Sequence, residues 1–304
     1  MTSPREVETA GGAIAIETVV AERFAVGESP VWDAQGHRLL WTDIPAGTVH
    51  ALDIASGERT RWAFDGPVGA FGLCRSGRLV VGLADEVVLF DCESGRREVL
   101  ARIDHDKPGM RLNDGKVGPD GAFWIGSMDA SGTGAPSARL YRVGPDGSVR
   151  VIAGGLATSN GLAWDAAGTR MYHSDSRGDM WIDVWDFDPA TGVAENRRRL
   201  VGESEALGRA DGGACDVAGT YWSAGPSASR MNRFSAEGEL LQAIELPVLR
   251  PTMPCFGGPD MKTVYVTSLS AGIEPQVLER YPLCGGIVSF RAPVAGVPVA
   301  WFHD

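Results

Sequence analysis

Four polar residues in this chain recur at one offset. Glu28 (ESPVWDAQG), Asn113 (NDGKVGPDG), Asn160 (NGLAWDAAG) and Asp211 (DGGACDVAG) each stand eight residues before a turn glycine, and an aromatic follows each turn: Trp41, Trp124, Tyr172 and Trp222. Equal offsets in a repeated unit put side chains at equivalent points, so units arranged about an axis would bring these oxygens together. Glu28, Asn160 and Asp211 offer two carboxylates and an amide carbonyl. Such hard donors suit one divalent ion: Ca²⁺, Mg²⁺ or Mn²⁺, with Zn²⁺ or Fe²⁺ as further options. Singly, Asn or Asp before Gly is ordinary turn chemistry; the shared offset is what points to a metal site. Arg111 lies two residues before Asn113, hence on the same side of an extended strand. Its rigid fork of N–H groups could hold substrate oxygens.

The elements that must carry these residues also repeat. LLWTDI (39–44), LVVGLAD (79–85), AFWIGSMD (122–129), RMYHSDS (170–176), TYWSAGP (220–226) and TVYVTSL (263–269) read as equivalent strands, each followed by another short apolar strand and a turn. Units start about 40 to 50 residues apart, the period of a four-stranded propeller blade. Alternation and β-branched enrichment favour strands, and the one helix-like patch, GESEALGRA (202–210), reads as a single turn in a loop. The expected fold is all-β: a six-bladed β-propeller with four-stranded antiparallel blades around a central channel. It would form a single domain over 1–304, with 1–12 as a flexible N-terminal tail. AIAIETVVAERF (13–24) is expected to close the ring as the outer strand of the last blade (263–303). The first strand of each blade should line the channel, giving a column of Glu28, Gly69, Asn113, Asn160, Asp211 and either Met253 or Pro254.

Other features narrow the function. A net charge of −11 argues against a nucleic-acid surface. Without a membrane-length apolar stretch or a leader-like start, the expectation is a cytoplasmic protein with no membrane partner. Five widely spaced cysteines without a C-x-x-C predict free, buried thiols. Asp43, Asp129 and Asp175, which close second strands, should satisfy backbone groups at turns. His173 reads as a channel or core residue bonded to a neighbour, and Trp181 and Trp185 as the tryptophans nearest a pocket.

GESPVW, RLNDGKVGPDGAFWIGSM, SNGLAW and PCFGGPDMKTVYVTSL, in this order, resemble the gluconolactonase, regucalcin and luciferin-regenerating enzyme family. The resemblance implies a six-bladed propeller with a divalent metal at the channel and an aldonolactone-hydrolysing activity. It implies Glu28, Asn160 and Asp211 as metal ligands, Asp211 also as general base, and Arg111 with Asn113 as the substrate-contacting pair. The chain departs from the family pattern at Gly213, at YWSAGPSASR (221–230), and after GSM, where an acidic substrate contact of some members has no counterpart. The expected function is metal-dependent opening of a sugar lactone to the aldonic acid, by a monomer or weak homo-oligomer acting on a small-molecule lactone. The alternatives are a hydrolase of a non-sugar lactone or phosphotriester, or a non-enzymatic cation-binding protein.

Overall fold

A computed structural model describes residues 5–9, 12–131, 133–177, 181–202 and 204–304. They form six antiparallel sheets whose inner strands are Gly27–Asp33, Ala70–Leu73, Met110–Val117, Ser159–Trp164, Gly213–Cys215 and Pro251–Gly257. Five sheets follow chain order outward in four strands; the first runs Gly27–Asp33, Arg38–Asp43, Thr48–Asp53 and Arg59–Ala63. The architecture is a six-bladed β-propeller.

The sixth blade is built from both ends of the chain. Gly12–Val20 pairs antiparallel with Ile287–Arg291, as expected for the closing strand. Arg5–Thr9, within the stretch expected to be a flexible tail, is instead strand, paired with Gly12–Ile16 as a fifth member of this sheet. The closing strand also packs: Ile16 is 3% exposed and joins a cluster with Trp222, Val266 and Val288.

The repeated aromatics fill the seams between blades. Trp41, Trp124, Tyr172 and Trp222 are fully buried. Trp124 meets Trp164 and Phe187 edge-on, Tyr172 stacks on Tyr221, and Trp222 meets Phe256 edge-on. Turn aspartates fix two of these rings. Asp120 accepts from the Trp124 indole and from Arg142, and Asp216 does the same for Trp222 and Arg233. The strand-end aspartates behave as expected. Asp43 accepts the N–H groups of Ala25 and Val26, Asp175 those of Ala157, Thr158 and Arg177, and Asp129 that of Ser131.

The described part of 202–210 holds a turn in a loop, as expected, and among the described residues the α-helix is Pro275–Arg280, with Pro275 in its first turn. Two expectations are corrected. Trp181 and Trp185 are buried beneath the Arg197 guanidinium, 4.6 and 5.3 Å from it, and do not line the central cleft. The sixth residue of the channel column is neither Met253 nor Pro254, as described below.

Ile16→Ala should cost about 2–5 kcal/mol, the usual range for emptying a buried aliphatic site. Urea unfolding measures it. A loss below about 0.5 kcal/mol, as at an ordinary surface position, would show that the closing strand does not hold the ring.

Candidate functional site

The inner strands begin at one mouth of the channel, and four of them slip register there. The irregularities lie between Glu28 and Val31, Leu112 and Gly115, Asn160 and Ala163, and Pro251 and Pro254. A bulge inserts a residue and re-aims its neighbours. Asn113 and Asp114 are adjacent, yet both reach the next inner strand: Asn113 Nδ2 donates to Ser159 O and Asn160 Oδ1, and Asp114 Oδ2 accepts from Gly161 N. The second blade's inner strand pairs without a slip and offers only Gly69. A Cβ at Gly69 would sit 2.7 and 2.8 Å from the carbonyl oxygens of Leu112 and Asn113, so glycine lets the neighbouring site strand approach.

The cleft at this mouth has a volume of about 130 Å³ and is bordered by Glu28, Arg111, Asn113, Asn160 and Asp211. All five sequence candidates therefore come together. The sixth blade contributes Thr252, whose hydroxyl is tied to Gly27 O and Thr267 Oγ1 at 2.6 and 2.8 Å. Pro254 faces a different, larger cavity of about 320 Å³, with Lys116, Cys215 and Cys255, at the other end of the inner strands. That cavity is mostly apolar and lacks the carboxylate pair. Residues 221–230 do not border the cleft; Tyr221 instead supports it from behind by donating to Gly161 O at 2.8 Å.

Glu28 is 5% and Asp211 6% exposed. Glu28 Oε2 accepts from Ser29 N at 2.6 Å, which holds Ser29 at φ +46°. Among the described residues the one cation near the Asp211 carboxylate is Arg209 Nη2, at 4.0 Å, beyond hydrogen-bond reach, and the Gly212 backbone N–H also faces it. Asn160 Nδ2 donates to Ser176 Oγ at 2.5 Å, and Ser176 is held in turn by Ala210 O. These bonds orient the Asn160 amide with Oδ1 toward Asn113. Arg111 Nη1 donates to Leu112 O and Asn113 Oδ1 at 2.7 and 2.9 Å. Both Asn113 amide hydrogens are thus used on the protein, so Asn113 connects Arg111 to Asn160.

The electrostatics follow from burying like charges together. Burial pushes the Asp211 carboxyl up to about 7, with Asp114 adding to the rise and Arg209 opposing it. Glu28 is raised by burial and then by Asp211 and Asp114. Burial also pulls Arg111 down to about 10. Sequence reasoning missed Asp114 and Lys116, which lie deeper in the shaft, although both stand in the NDGK segment. The Lys116 ammonium donates to Gly213 O at 2.7 Å, and it opposes the burial that raises Asp114. His173 is a core residue, as expected: its Nε2 meets Ser159 Oγ at 2.8 Å and burial lowers it to about 3.

Two buried carboxylates without a hydrogen-bonded cation among the described residues, beside an oriented amide oxygen, fit a hard divalent ion. Among the described residues no three His, Cys, Asp or Glu side chains gather as a metal centre. The model for the SMP-30/Gluconolactonase/LRE-like region matches residues 26–270. The chain belongs to this family. Among its members, regucalcin of Xenopus laevis is 35% identical over 280 residues, covering 90% of this chain and 93% of its own. A 6-deoxy-6-sulfogluconolactonase of Pseudomonas putida is 35% identical over 286 residues, covering 92% and 96%. A solved structure of a calcium-binding protein, regucalcin, from Agrobacterium tumefaciens superposes with a TM-score of 0.91 over 96% of this chain and 98% of that one, at 24% identity, and shares the family's fold.

Two measurements check this site. Gly69→Ala should cost about 1–3 kcal/mol by forcing a methyl against backbone carbonyls, and it should weaken divalent-ion stabilisation although Gly69 has no chemistry. An unchanged urea midpoint would contradict this. The raised carboxyls set a pH dependence: the folded protein holds these protons more tightly than the unfolded chain. For Asp211 that stabilisation is full below the ordinary value of 3.8 and is lost as pH rises through about 7. Metal-free protein should therefore lose thermal stability across that window. Added CaCl₂ at about 100 times its Kd should raise Tm by about 5 °C at pH 8 and less at pH 5. Scanning fluorimetry in EDTA and in CaCl₂ reads both; a larger shift at pH 5 would contradict the assignment.

Proposed function

We propose that this chain is a divalent-metal-dependent lactonase that opens a sugar lactone to its aldonic acid. The observation that carries the reading is the pair of buried carboxylates, Glu28 and Asp211, facing one cleft with the Asn160 amide and no cation in hydrogen-bond contact. Glu28, Asn160 and Asp211 would hold the ion. When bound, it would supply Lewis-acid polarisation of the lactone carbonyl.

The remaining chemistry falls to the chain. Water adds its oxygen to the lactone carbonyl carbon while Asp211 takes a proton from it, the role of a general base. The bond from that carbon to the ring oxygen then breaks, and the ring oxygen takes up the proton as a hydroxyl. One water is consumed, and the product is the open hydroxy acid. The Arg111 N–H groups not used on Leu112 and Asn113 are available to substrate oxygens. Asn113 holds Arg111 and Asn160 in fixed relation, and its Oδ1 keeps one lone pair for a substrate hydroxyl. Buried, hydrogen-bonded donors need little rearrangement as charge develops on the carbonyl oxygen.

Gluconolactone, arabinonolactone, xylonolactone and a phosphotriester, assayed with metal-loaded protein, test the reading. Sugar-lactone opening should exceed the spontaneous rate. Asp211→Asn should lower kcat/KM by about a thousandfold, and Glu28→Gln should abolish divalent-ion stabilisation, both with intact circular dichroism. Wild-type turnover of the phosphotriester alone would replace this reading with the phosphotriester alternative. No turnover of any substrate, with ion binding retained, would leave a cation-binding protein.

A further inference from the structure

The mouth carries more positive charge than its carboxylates require. Arg111, Arg177 and Arg209 all border the cleft, in a chain whose net charge is −11. Arg111 is tied to the backbone and to Asn113. The other two are not tied. Arg177 follows Ser176 on the loop after Arg170–Asp175; its guanidinium bonds to no acceptor among the described residues, and only its backbone N–H does, to Asp175. Arg209 precedes Asp211. Its Nη2 stops 4.0 Å short of Asp211 Oδ2, and its Nε is buried with no partner.

The charges can be counted. Glu28 and Asp211 would be balanced by the divalent ion they are proposed to hold, so Asp211 does not need Arg209 as its counter-charge. Asp114 has Lys116 acting on it in the shaft. The arginines at the rim are then left without an anion among the described residues. Guanidinium groups held half out of water with unused N–H donors are costly unless an acceptor arrives. A neutral sugar ring brings weak acceptors. A phosphate, sulfonate or carboxylate brings the geometry that a guanidinium fork matches in pairs of parallel hydrogen bonds.

We propose that Arg177 and Arg209 form a specificity site for an anionic oxyacid group carried by the substrate away from its lactone carbonyl. The inference rests on the lactonase reading and narrows its substrate class to acidic sugar lactones. Binding energy from that remote group would hold the ring in register with the reacting carbon. Both arginines come from loops and the ligands from inner-strand starts, so the two tasks lie on separate parts of the chain.

The test compares glucono-1,5-lactone with its 6-phosphate on metal-loaded protein. The expected kcat/KM ratio favours the phosphate by at least about tenfold, the effect of one well-placed charge-assisted contact. Raising NaCl from about 20 to about 500 mM should lower kcat/KM for the phosphate and leave the neutral lactone's nearly flat, because only a charged substrate is steered. In the double variant Arg177→Gln, Arg209→Gln the ratio should fall toward one, and Arg177→Lys, Arg209→Lys should restore part of it. Lactones with a 6-sulfonate or a 6-carboxylate identify which oxyacid fits, and a preference for any of the three upholds the inference. A native ratio near one for all three, or a ratio the double variant leaves unmoved, overturns it while leaving the lactonase reading intact. If no lactone is turned over, the lactonase reading fails, and calorimetry with the open acids decides this one. Binding of 6-phosphogluconate at least about tenfold tighter than gluconate, lost in the double variant, upholds an anion site; equal binding overturns it.

Discussion

The central mouth depends on a closed ring. Five blades follow chain order, but the sixth is completed beyond three strands only because Gly12–Val20 hydrogen-bonds to Ile287–Arg291. This pairing covers a sheet edge that would otherwise be exposed. It also fixes the last angle in the circle. Glu28, on the first blade, and Thr252, on the last, meet across that joint, and Thr252 Oγ1 donates to Gly27 O there. A ring that opened would separate the first carboxylate from the others, so stability and site geometry are the same constraint seen twice.

A closed ring then creates an electrostatic difficulty. Inner strands pointing at one axis bring Glu28, Asp114 and Asp211 together out of water, where Asp114 raises the proton affinity of Asp211 and both raise that of Glu28. A fold that needed only stability would place apolar residues here. Instead the carboxylates are held in place by neutral backbone donors, Ser29 N for Glu28 and Gly161 N for Asp114, with the Ser176–Asn160–Asn113–Arg111 chain around the amide, and only Asp114 has a lysine, Lys116, acting on it from the shaft. Such an arrangement is poised for a cation, and its arginines lie outside the carboxylates.

The sequence made the propeller legible because its period is long and its turns are chemically plain. Glu28, Asn113, Asn160 and Asp211 were legible because four turns keep one offset from them. Thr252 was missed because its blade has a different turn, so the count ran one or two residues too far, to Met253 or Pro254. Asp114 was missed for a sharper reason. Strict alternation puts neighbours on opposite faces, and the slip between Leu112 and Gly115 cancels that rule where Asn113 and Asp114 stand. Trp181 and Trp185 misled because an aromatic reads alike in a pocket and under an arginine. The helix Pro275–Arg280 is too short for periodicity to declare it. Closure by residues 13–24 could be foreseen from the need to cover an edge, but the strand Arg5–Thr9 beyond it could not, since MTSPREVETAGG carries no strand pattern.

The closing strand also sets a clock. Residues 12–20 leave the ribosome well ahead of their partner at 287–291, which begins 267 residues after Val20 (287 − 20). At about 5–20 residues per second of synthesis, the wait is on the order of tens of seconds. During it the edge of GAIAIETVV that faces away from Arg5–Thr9 must stay unpaired beside a growing stack of blades, each with an open edge of its own. Contacts this distant in sequence are the slow ones to form. The nascent chain therefore makes its latch long before the strand it fastens to, which leaves this short apolar strand exposed to wrong partners until the ring can close.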